Sequence, residues 1–232
     1  MVNERRIAMD LRWCAFVAIT CGAIVQVSAP PASAADATRV SAGLSAFYTF
    51  EEGEGDVVKD RSGNGKSLDL KIEKPSAVTW KDSALVVRSA TKIESVHSAT
   101  KLAEQCKRSN ALTIEAWIKP ANTSQKGPAR IVSMSSNSVQ RNFTLGQERD
   151  RYQFRLRATS TSDNGIPDTG SGNGKAETKL AHVVFTRGSD GRVRFYVDGK
   201  QTESRKVAGR LSNWDVGFPL ILANERKAER PW

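Results

Sequence analysis

The chain has 232 residues and a formal net charge of +10, and 26% of its residues are charged. This length allows one sizeable domain together with a leader segment. Only two histidines and three cysteines are present, which argues against zinc clusters, paired Cys-x-x-Cys sites and haem attachment.

The N-terminal segment has the composition of a secretory signal peptide. It starts with three arginines, continues with an apolar stretch at 13–27 and ends with Ala32-Ser33-Ala34, a small-x-small cleavage site. We therefore predict a signal peptide at 1–34, a linker at 35–43 and one exported domain at 44–232. The alternative is an uncleaved membrane anchor, although the apolar stretch is short for a span. After cleavage, no other stretch could cross a bilayer.

Removal of this leader changes both the charge and the cysteine content. The leader has a net charge of +1, so the mature chain keeps a charge of +9. Cys14 and Cys21 lie in the leader, and Cys106 alone remains, which excludes an internal disulfide in the mature chain. The positive charge favours polyanionic partners such as acidic glycans. Many charged residues alternate with apolar ones, however, and this pattern indicates a solvated sheet face.

From residue 44 onward, the apolar residues recur with a period of two. The clearest predicted strand is LTIEAWI at 112–118, in which four alternate apolar residues share one face. A second strictly alternating strand, RYQFRLR, covers 151–157, and two hairpins in series follow between 182 and 206. Helical periodicity is limited to a turn or two at 100–107. Many short strands with turn signals between them predict an all-β fold, an antiparallel β-sandwich of the jelly-roll type.

Several of these segments together resemble a known family. They are FYTFEEG at 47–53 followed by DRSGNG at 60–65, LTIEAWIKP at 112–120, HVVFT at 182–186 and RFYVDGK at 194–200. In this order they resemble laminin-G-like, concanavalin A-like jelly-roll modules, over a region from about residue 44 to the end. The resemblance implies the fold but leaves the function open, because lectins, adhesion modules, glycoside hydrolases and scaffolds share it.

The resemblance also implies an incomplete sheet. Family members usually continue past the RPW at 230–232 with a final apolar strand that pairs beside the first strand. We therefore expect a jelly roll that lacks its final strand, from a truncated gene product or a fragment. Its first strand would have an unpaired edge.

A structural calcium ion is a second implication of the resemblance, because in related jelly rolls calcium often connects the first loop to the last strand. Calcium requires six to eight hard oxygen ligands. The candidate ligands are Glu51, Glu52, Asp60 and Asn64. The alternative is an acidic loop in which Asp and Asn side chains only stabilise turns.

A sugar site requires an aromatic ring for stacking and planar polar groups for hydroxyls. The candidate residues are Gln147, Arg155, Arg157 and Trp214. Trp214 lies in a predicted loop between Asn213 and Asp215, so we expect its ring to be exposed. The long polar loop at 159–177, next to the strand that carries the two arginines, is of a length that is often functional or mobile.

Catalytic and nucleotide-binding motifs are absent or incomplete. The E-x-D-x-x-E run of jelly-roll glucanases does not occur, and Glu115 has Ile114 and Ala116 beside it and Ile118 beyond. Gly65-Lys66-Ser67 resembles the end of a phosphate-binding loop, but Asp60 replaces the required first glycine. His182, at the start of a strand, is expected to be a hydrogen-bonded structural residue. We therefore predict no enzymatic activity and no specific nucleic-acid partner.

The sequence favours an exported recognition module, located in the periplasm, at the cell surface or outside the cell. It would bind a glycan or a protein surface through loops or one sheet face. The alternatives are a protein-interaction or scaffold domain from a larger exported protein, and a degenerate glycoside hydrolase.

Overall fold

The computed structural model describes residues 17–20 and 41–232. The remainder of the predicted signal peptide and most of the predicted linker, 35–40, lie outside the described residues. The described backbone forms a six-stranded sheet, an eight-stranded sheet and a separate two-stranded hairpin. Every strand pair is antiparallel. The predicted all-β antiparallel sandwich is confirmed.

The six-stranded sheet follows the predicted alternation. In its central strand, every second residue of 112–118 is buried and the residues between them are partly exposed. In spatial order its strands are β15 (Lys200–Lys206), β14 (Arg192–Val197), β13 (Ala181–Arg187), β8 (Leu112–Ile118), β1 (Val17–Thr20) and β2 (Leu44–Tyr48). Because alternate residues of a strand point to opposite faces, this pattern places one face on the core and the other toward solvent.

The eight-stranded sheet differs because two of its strands are buried on both faces. All seven residues of the strand Ala129–Ser135 are buried, and so are seven of the eight residues of the strand Arg141–Glu148. In spatial order the strands are β12 (Thr169–Gly170), β11 (Arg151–Leu156), β10 (Arg141–Glu148), β9 (Ala129–Ser135), β16 (Leu220–Leu222), β7 (Ile93–Ser95), β4 (Leu70–Ile72) and β3 (Val57–Val58).

The remaining elements connect and cover the sheets. They are the hairpin of β5 (Val78–Lys81) and β6 (Ala84–Val87), the helix α1 (Thr100–Ser109), and 3-10 turns at Pro75–Ala77 and Leu211–Asn213. Helix α1 ends at Asn110, whose left-handed backbone (φ 53°) is one that Asn tolerates better than most residues. The side chain of Asn110 also bonds Leu211 N and Ser189 O, which fixes the helix end to two distant loops.

Aromatic side chains join the two sheets in the core. Phe154 of β11 and Phe185 of β13 stack with ring centroids 3.7 Å apart. Phe143 of β10 stacks on Phe154 at 5.8 Å, and Phe195 of β14 meets Phe185 edge-on at 6.2 Å. These four rings are buried, and such pairs add about 0.5–1.5 kcal/mol each beyond the burial of their area. The sandwich is therefore held at its centre by a continuous aromatic column.

The described structure bears on two expectations from the sequence. The first strand, β2, lies at the edge of the six-stranded sheet: β1 pairs with its inner side and also with β8, and its outer side has no partner strand among the described residues. Cys106 is buried in α1 and is disulfide-bonded in the uncut chain. The expectation of a lone thiol concerns the mature chain without Cys14 and Cys21, which lie outside the described residues, and it stays a prediction. Within the described part of the chain, no helix has the length and apolar character needed to cross a membrane.

Candidate functional site

Gln147 is a structural residue of β10 and is not accessible to a ligand. It is fully buried, and its Nε2 donates to Asn122 O (2.7 Å) and Arg149 O (2.8 Å). Its Oε1 accepts a hydrogen bond from the indole Nε1 of Trp232 at 2.7 Å. The amide therefore connects two loops and the last residue of the chain, and it has no exposed polar atom for a sugar hydroxyl.

The expected exposure of Trp214 is wrong. The residue is 2% exposed, its indole Nε1 donates to Arg157 O at 2.7 Å, and its ring lies 5.9 Å from that of Phe143. The local sequence suggested a loop because Asn213 and Asp215 are polar. The loop instead turns the ring inward, where it extends the aromatic core. A ring in this position cannot stack on a sugar.

Arg155 and Arg157 are partly exposed, and both are held by the long polar loop. Arg155 donates to Asn164 Oδ1 at 3.0 Å, and Arg157 forms an ion pair with Asp163 at 3.0 Å. Burial lowers the pKa of Arg155 below its ordinary value, and the nearby negative charge of Asp168 opposes part of this shift. The loop therefore covers this face of the eight-stranded sheet. The proposed ligand-binding role of these two arginines stays a prediction.

A buried ionic network lies on the same face, and no local sequence pattern predicts it. Arg130 of β9 pairs through Nε with Glu225 Oε2 at 3.0 Å, and the side chains are 1% and 0% exposed. Ser135 donates to the other oxygen of Glu225. Arg141 donates to Thr144 Oγ1 at 2.9 Å and to Ser138 O. Burial and the adjacent Arg130 lower the pKa of Arg141 to about 9.

Asp60 is the centre of the predicted calcium loop, and four donors already occupy its carboxylate. Oδ1 accepts hydrogen bonds from Phe47 N (3.1 Å) and Ser62 N (2.9 Å), while Oδ2 accepts from Leu68 N (3.0 Å) and from the Lys101 ammonium (2.9 Å). Burial opposes ionisation, but the bonds from Lys101 and from the backbone outweigh it and lower the pKa of Asp60. Lys101 therefore supplies the positive charge expected from a metal.

The other candidate ligands do not complete a calcium site in this arrangement. Glu51 is exposed, and Asn64 uses its Nδ2 to bond Leu44 O at 2.8 Å. Glu52 accepts Lys59 N through Oε1, and its buried Oε2 has no hydrogen-bond partner among the described residues. These contacts do not by themselves supply the six to eight oxygens that calcium requires, and the calcium site stays a prediction. No group of three or more His, Cys, Asp or Glu in the described residues could hold a metal ion.

A groove of about 750 Å³ lies near these residues at the rim of the sandwich, and we call it the rim groove. It lies between the turn at 66–68, the segment after β7, the start of α1 and the segment before β16. Its lining residues are Lys66, Ser67, Leu68, Glu94, Ser95, Val96, His97, Ser98, Thr100, Lys101, Glu104, Gly217, Pro219 and Arg226. A volume of this size is within the range of small-molecule sites.

The walls of the rim groove combine fixed loops with free polar groups. Ser98 Oγ donates to Gly217 O at 2.9 Å and Thr100 Oγ1 to Val216 O at 3.0 Å, so two short bonds fix the loop that carries His97. The exposed side chains of Lys66 and His97 have no hydrogen-bond or ion-pair partner among the described residues. They can therefore contact a ligand without breaking an existing interaction. No sequence pattern predicts this groove, because the segments that line it are far apart in the chain.

The family model of the concanavalin A-like lectin/glucanases superfamily matches residues 94–232, which is more than half of the chain. The chain belongs to this superfamily. No curated protein matches the sequence.

Solved structures resemble this concanavalin A-like domain only distantly. The binding domain of botulinum neurotoxin DC in complex with rat synaptotagmin II is 15% identical, with 73% of this chain and 41% of that chain covered and a TM-score of 0.46. A botulinum neurotoxin type C structure, described as dependent on two ganglioside molecules for cell entry, is 14% identical, with 75% and 41% covered and a TM-score of 0.45. The chain thus spans about two fifths of these toxin chains. At this identity the likeness concerns the fold alone.

The outer face of the six-stranded sheet of this concanavalin A-like domain carries a partly exposed aromatic pair. Trp117 of β8 stacks on His182 of β13, with ring centroids 4.5 Å apart and an interplanar angle of 15°. His182 Nε2 lies 2.9 Å from Glu115 Oε1, so this histidine is hydrogen-bonded as the sequence predicts. Glu115 therefore faces an imidazole rather than a second carboxylate, unlike the acid pair of a retaining glycosidase.

Proposed function

We propose that this chain is an exported, non-catalytic recognition module that binds carbohydrate in the rim groove. The observation that carries the proposal is a concavity of about 750 Å³ whose wall presents the free Lys66 and His97 side chains. A sugar ring needs hydrogen-bond donors and acceptors at several angles, and the hydroxyls and charges of this wall offer both.

The charge of the groove favours a polar ligand with some negative charge. Arg226 is paired with Glu94 at 3.2 Å, and Lys101 is paired with Asp60, so the ammonium of Lys66 is the uncompensated charge. The chain as a whole carries +10, which would concentrate acidic glycans near this surface. The exposed Val96, at 57%, offers an apolar contact beside His97 for a sugar face.

Membership of the lectin/glucanase superfamily supports a carbohydrate ligand but does not choose between binding and hydrolysis. We favour binding because Glu115 is paired with His182 and because the groove carries Glu94, held by Arg226, and Glu104 instead of a glucanase acid motif. The second candidate is a protein-interaction module, for which the same open groove would receive a polar loop of a partner.

The test is a glycan array that includes neutral and acidic glycans, read with and without a chelator. We expect saturable binding to a subset of glycans for the full chain, and a loss of at least tenfold in the double variant Lys66→Ala/His97→Ala. The matched control is Lys200→Ala, which removes an exposed lysine from β15, outside the groove. This control should bind as well as the parent chain.

Three outcomes would change the proposal. No binding to any glycan would favour the protein-interaction module, and equal losses in both variants would place the ligand outside the rim groove. Release of reducing sugar from any bound polysaccharide would contradict the non-catalytic assignment.

A further inference from the structure

The strand β1 is an interior strand of the six-stranded sheet, although its residues belong to the predicted signal peptide. It pairs with β2 on one side and with β8 on the other, antiparallel to both. Two strands that are each antiparallel to a third are parallel to each other. Since adjacent strands are about 4.8 Å apart, the gap between β2 and β8 without β1 would be close to 10 Å wide.

The two walls of this gap are fixed by contacts that do not involve β1. On β2, Tyr48 Oη donates to Leu68 O at 2.6 Å. Phe47 N donates to the Asp60 carboxylate at 3.1 Å, and Phe47 O accepts from Arg61 N at 2.7 Å. On β8, every residue of 112–118 pairs with β13. Closing the gap would require β2 to move by about one strand spacing and to re-pair in the parallel direction. These contacts favour a gap that stays open when β1 leaves.

The register defines the residues that an occupying strand meets. Val17 lies opposite Tyr48 and Ala116, and Ile19 lies opposite Ala46 and Ile114. All four of these wall residues are 0% exposed core residues. An occupant therefore needs apolar residues at two alternate positions and an extended backbone whose N–H and C=O groups bond both walls.

The strand β1 and both of its walls belong to one chain in the uncut protein, and Thr20 lies opposite Leu44. A strand in the same chain competes at a higher effective concentration than a free peptide of the same sequence. The predicted cleavage after Ala34 separates Thr20 from Leu44 in the sequence, so cleavage would remove that advantage.

We propose that the position between β2 and β8 is a strand-binding site that Val17–Thr20 fills in the uncut chain and that accepts an extended strand from another polypeptide after the leader is released. The occupant runs antiparallel to both walls, with apolar residues at alternate positions, and completes the sheet by donor-strand addition. The site lies in the sheet and is separate from the rim groove, so its failure would leave the glycan proposal intact.

The first experiment uses the full chain with a site-specific protease sequence inserted after Ala34. The probe is a labelled peptide that contains residues 15–20, and the matched control is the same peptide with Ile19→Pro, which removes one backbone donor. Titration is followed by fluorescence anisotropy in reductant, because Cys106 is disulfide-bonded. We expect one-to-one binding to the cut protein, at least tenfold weaker binding to the uncut protein, and at least tenfold weaker binding of the control peptide.

The second experiment does not require cleavage. In the uncut chain, Ile19→Pro should lower the hydrogen-exchange protection of amides in β2 and β8 at least tenfold, and the wild-type peptide added in trans should restore it. The control Val27→Pro, outside β1, should leave the protection unchanged. If Ile19→Pro unfolds the whole chain, recovery of the fold on addition of the wild-type peptide supports the proposal.

Three results would overturn it. They are unchanged exchange in β2 and β8 after Ile19→Pro, equal binding of the two peptides, and failure of the wild-type peptide to restore protection or folding.

Discussion

The outer faces of the two sheets differ in their exposure to solvent. On the six-stranded sheet, β8 buries every second residue and keeps the others half-exposed, so its outer face meets solvent. On the eight-stranded sheet, the outward residues of β9 and β10 are buried beneath loops from 136–140 and 157–168. The difference shows that alternation predicts which residues share a face, whereas distant segments decide whether that face is accessible.

The covered face must satisfy its polar groups internally. Ser133, Ser135 and Thr144 form a chain of hydroxyl contacts of 2.7–2.9 Å between β9 and β10. The carboxylate of Glu225 forms an ion pair with Arg130 and accepts hydrogen bonds from Ser135 and from the backbone of Arg226. A buried polar group without a partner costs about 1–3 kcal/mol, so these residues support folding rather than ligand contact. The open face has fewer such requirements, and its residues can change at lower cost.

The largest expected loss of stability comes from breaking the ion pair on the covered face. Arg130→Met leaves Glu225 charged and buried, and such a change typically costs about 3–5 kcal/mol of unfolding free energy. Denaturant unfolding of the variant and the parent measures this difference. The double variant Arg130→Met/Glu225→Leu is the matched control, because it removes both charges and should recover part of the loss. A cost below about 1 kcal/mol for the single variant would show that the network is hydrated.

An intermediate effect on stability is expected at Asp60. Its side chain is 0% exposed, whereas the side chain of its partner Lys101 is 19% exposed. The pKa of Asp60 is lowered in the folded state, so its stabilising contribution is complete above the ordinary pKa of about 3.9 and is lost as the pH falls through the lowered value. Thermal midpoints measured from about pH 5 to pH 2 should therefore fall less steeply for Asp60→Asn than for the parent.

The controls for this comparison separate Asp60 from its neighbours and from calcium. Asp69 also has a lowered pKa and is retained in the variant, so only the difference between the two slopes reports on Asp60. Because Lys101 already neutralises Asp60, calcium should not raise the thermal midpoint of the parent chain, and a chelator should not lower it. A clear rise with calcium would instead restore the predicted metal site, with Lys101 displaced.

The sequence predicted the fold well where the pattern was local. The alternation at 112–118 and the paired hairpins between 182 and 206 correspond to β8 and to β13–β15. Prediction was poor where contacts were distant. Arg130 finds its partner 95 positions away, and Gln147 bonds Trp232 across 85 positions. Polar residues on such strands resemble a ligand-binding face in sequence, since the same hydrogen-bonding groups serve either a sugar or a covering loop.

The candidate site was missed for the same reason. The rim groove is formed by turns and by the ends of segments, which have no periodic sequence pattern. In the sequence, Lys66 is notable only as part of an incomplete phosphate-binding loop motif. Trp214 was misassigned because polar neighbours usually indicate an exposed loop, whereas this loop packs its ring against Phe143. Exposure of a single aromatic residue in a loop therefore depends on tertiary packing that a short sequence window does not contain.

The smallest expected effect is on the open face, at the stack of His182 on Trp117. His182→Ala removes this stack and the hydrogen bond to Glu115, and the His182 and Glu115 side chains are 25% and 26% exposed. An aromatic pair and a hydrogen bond each contribute about 0.5–1.5 kcal/mol and partial exposure weakens both, so we expect a loss of about 1 kcal/mol by denaturant unfolding. His182→Gln, which keeps a polar side chain near Glu115, is the matched control and should lose less. A loss comparable to that of Arg130→Met would mean that this face is also covered, and that the two outer faces do not differ in the way their exposure indicates.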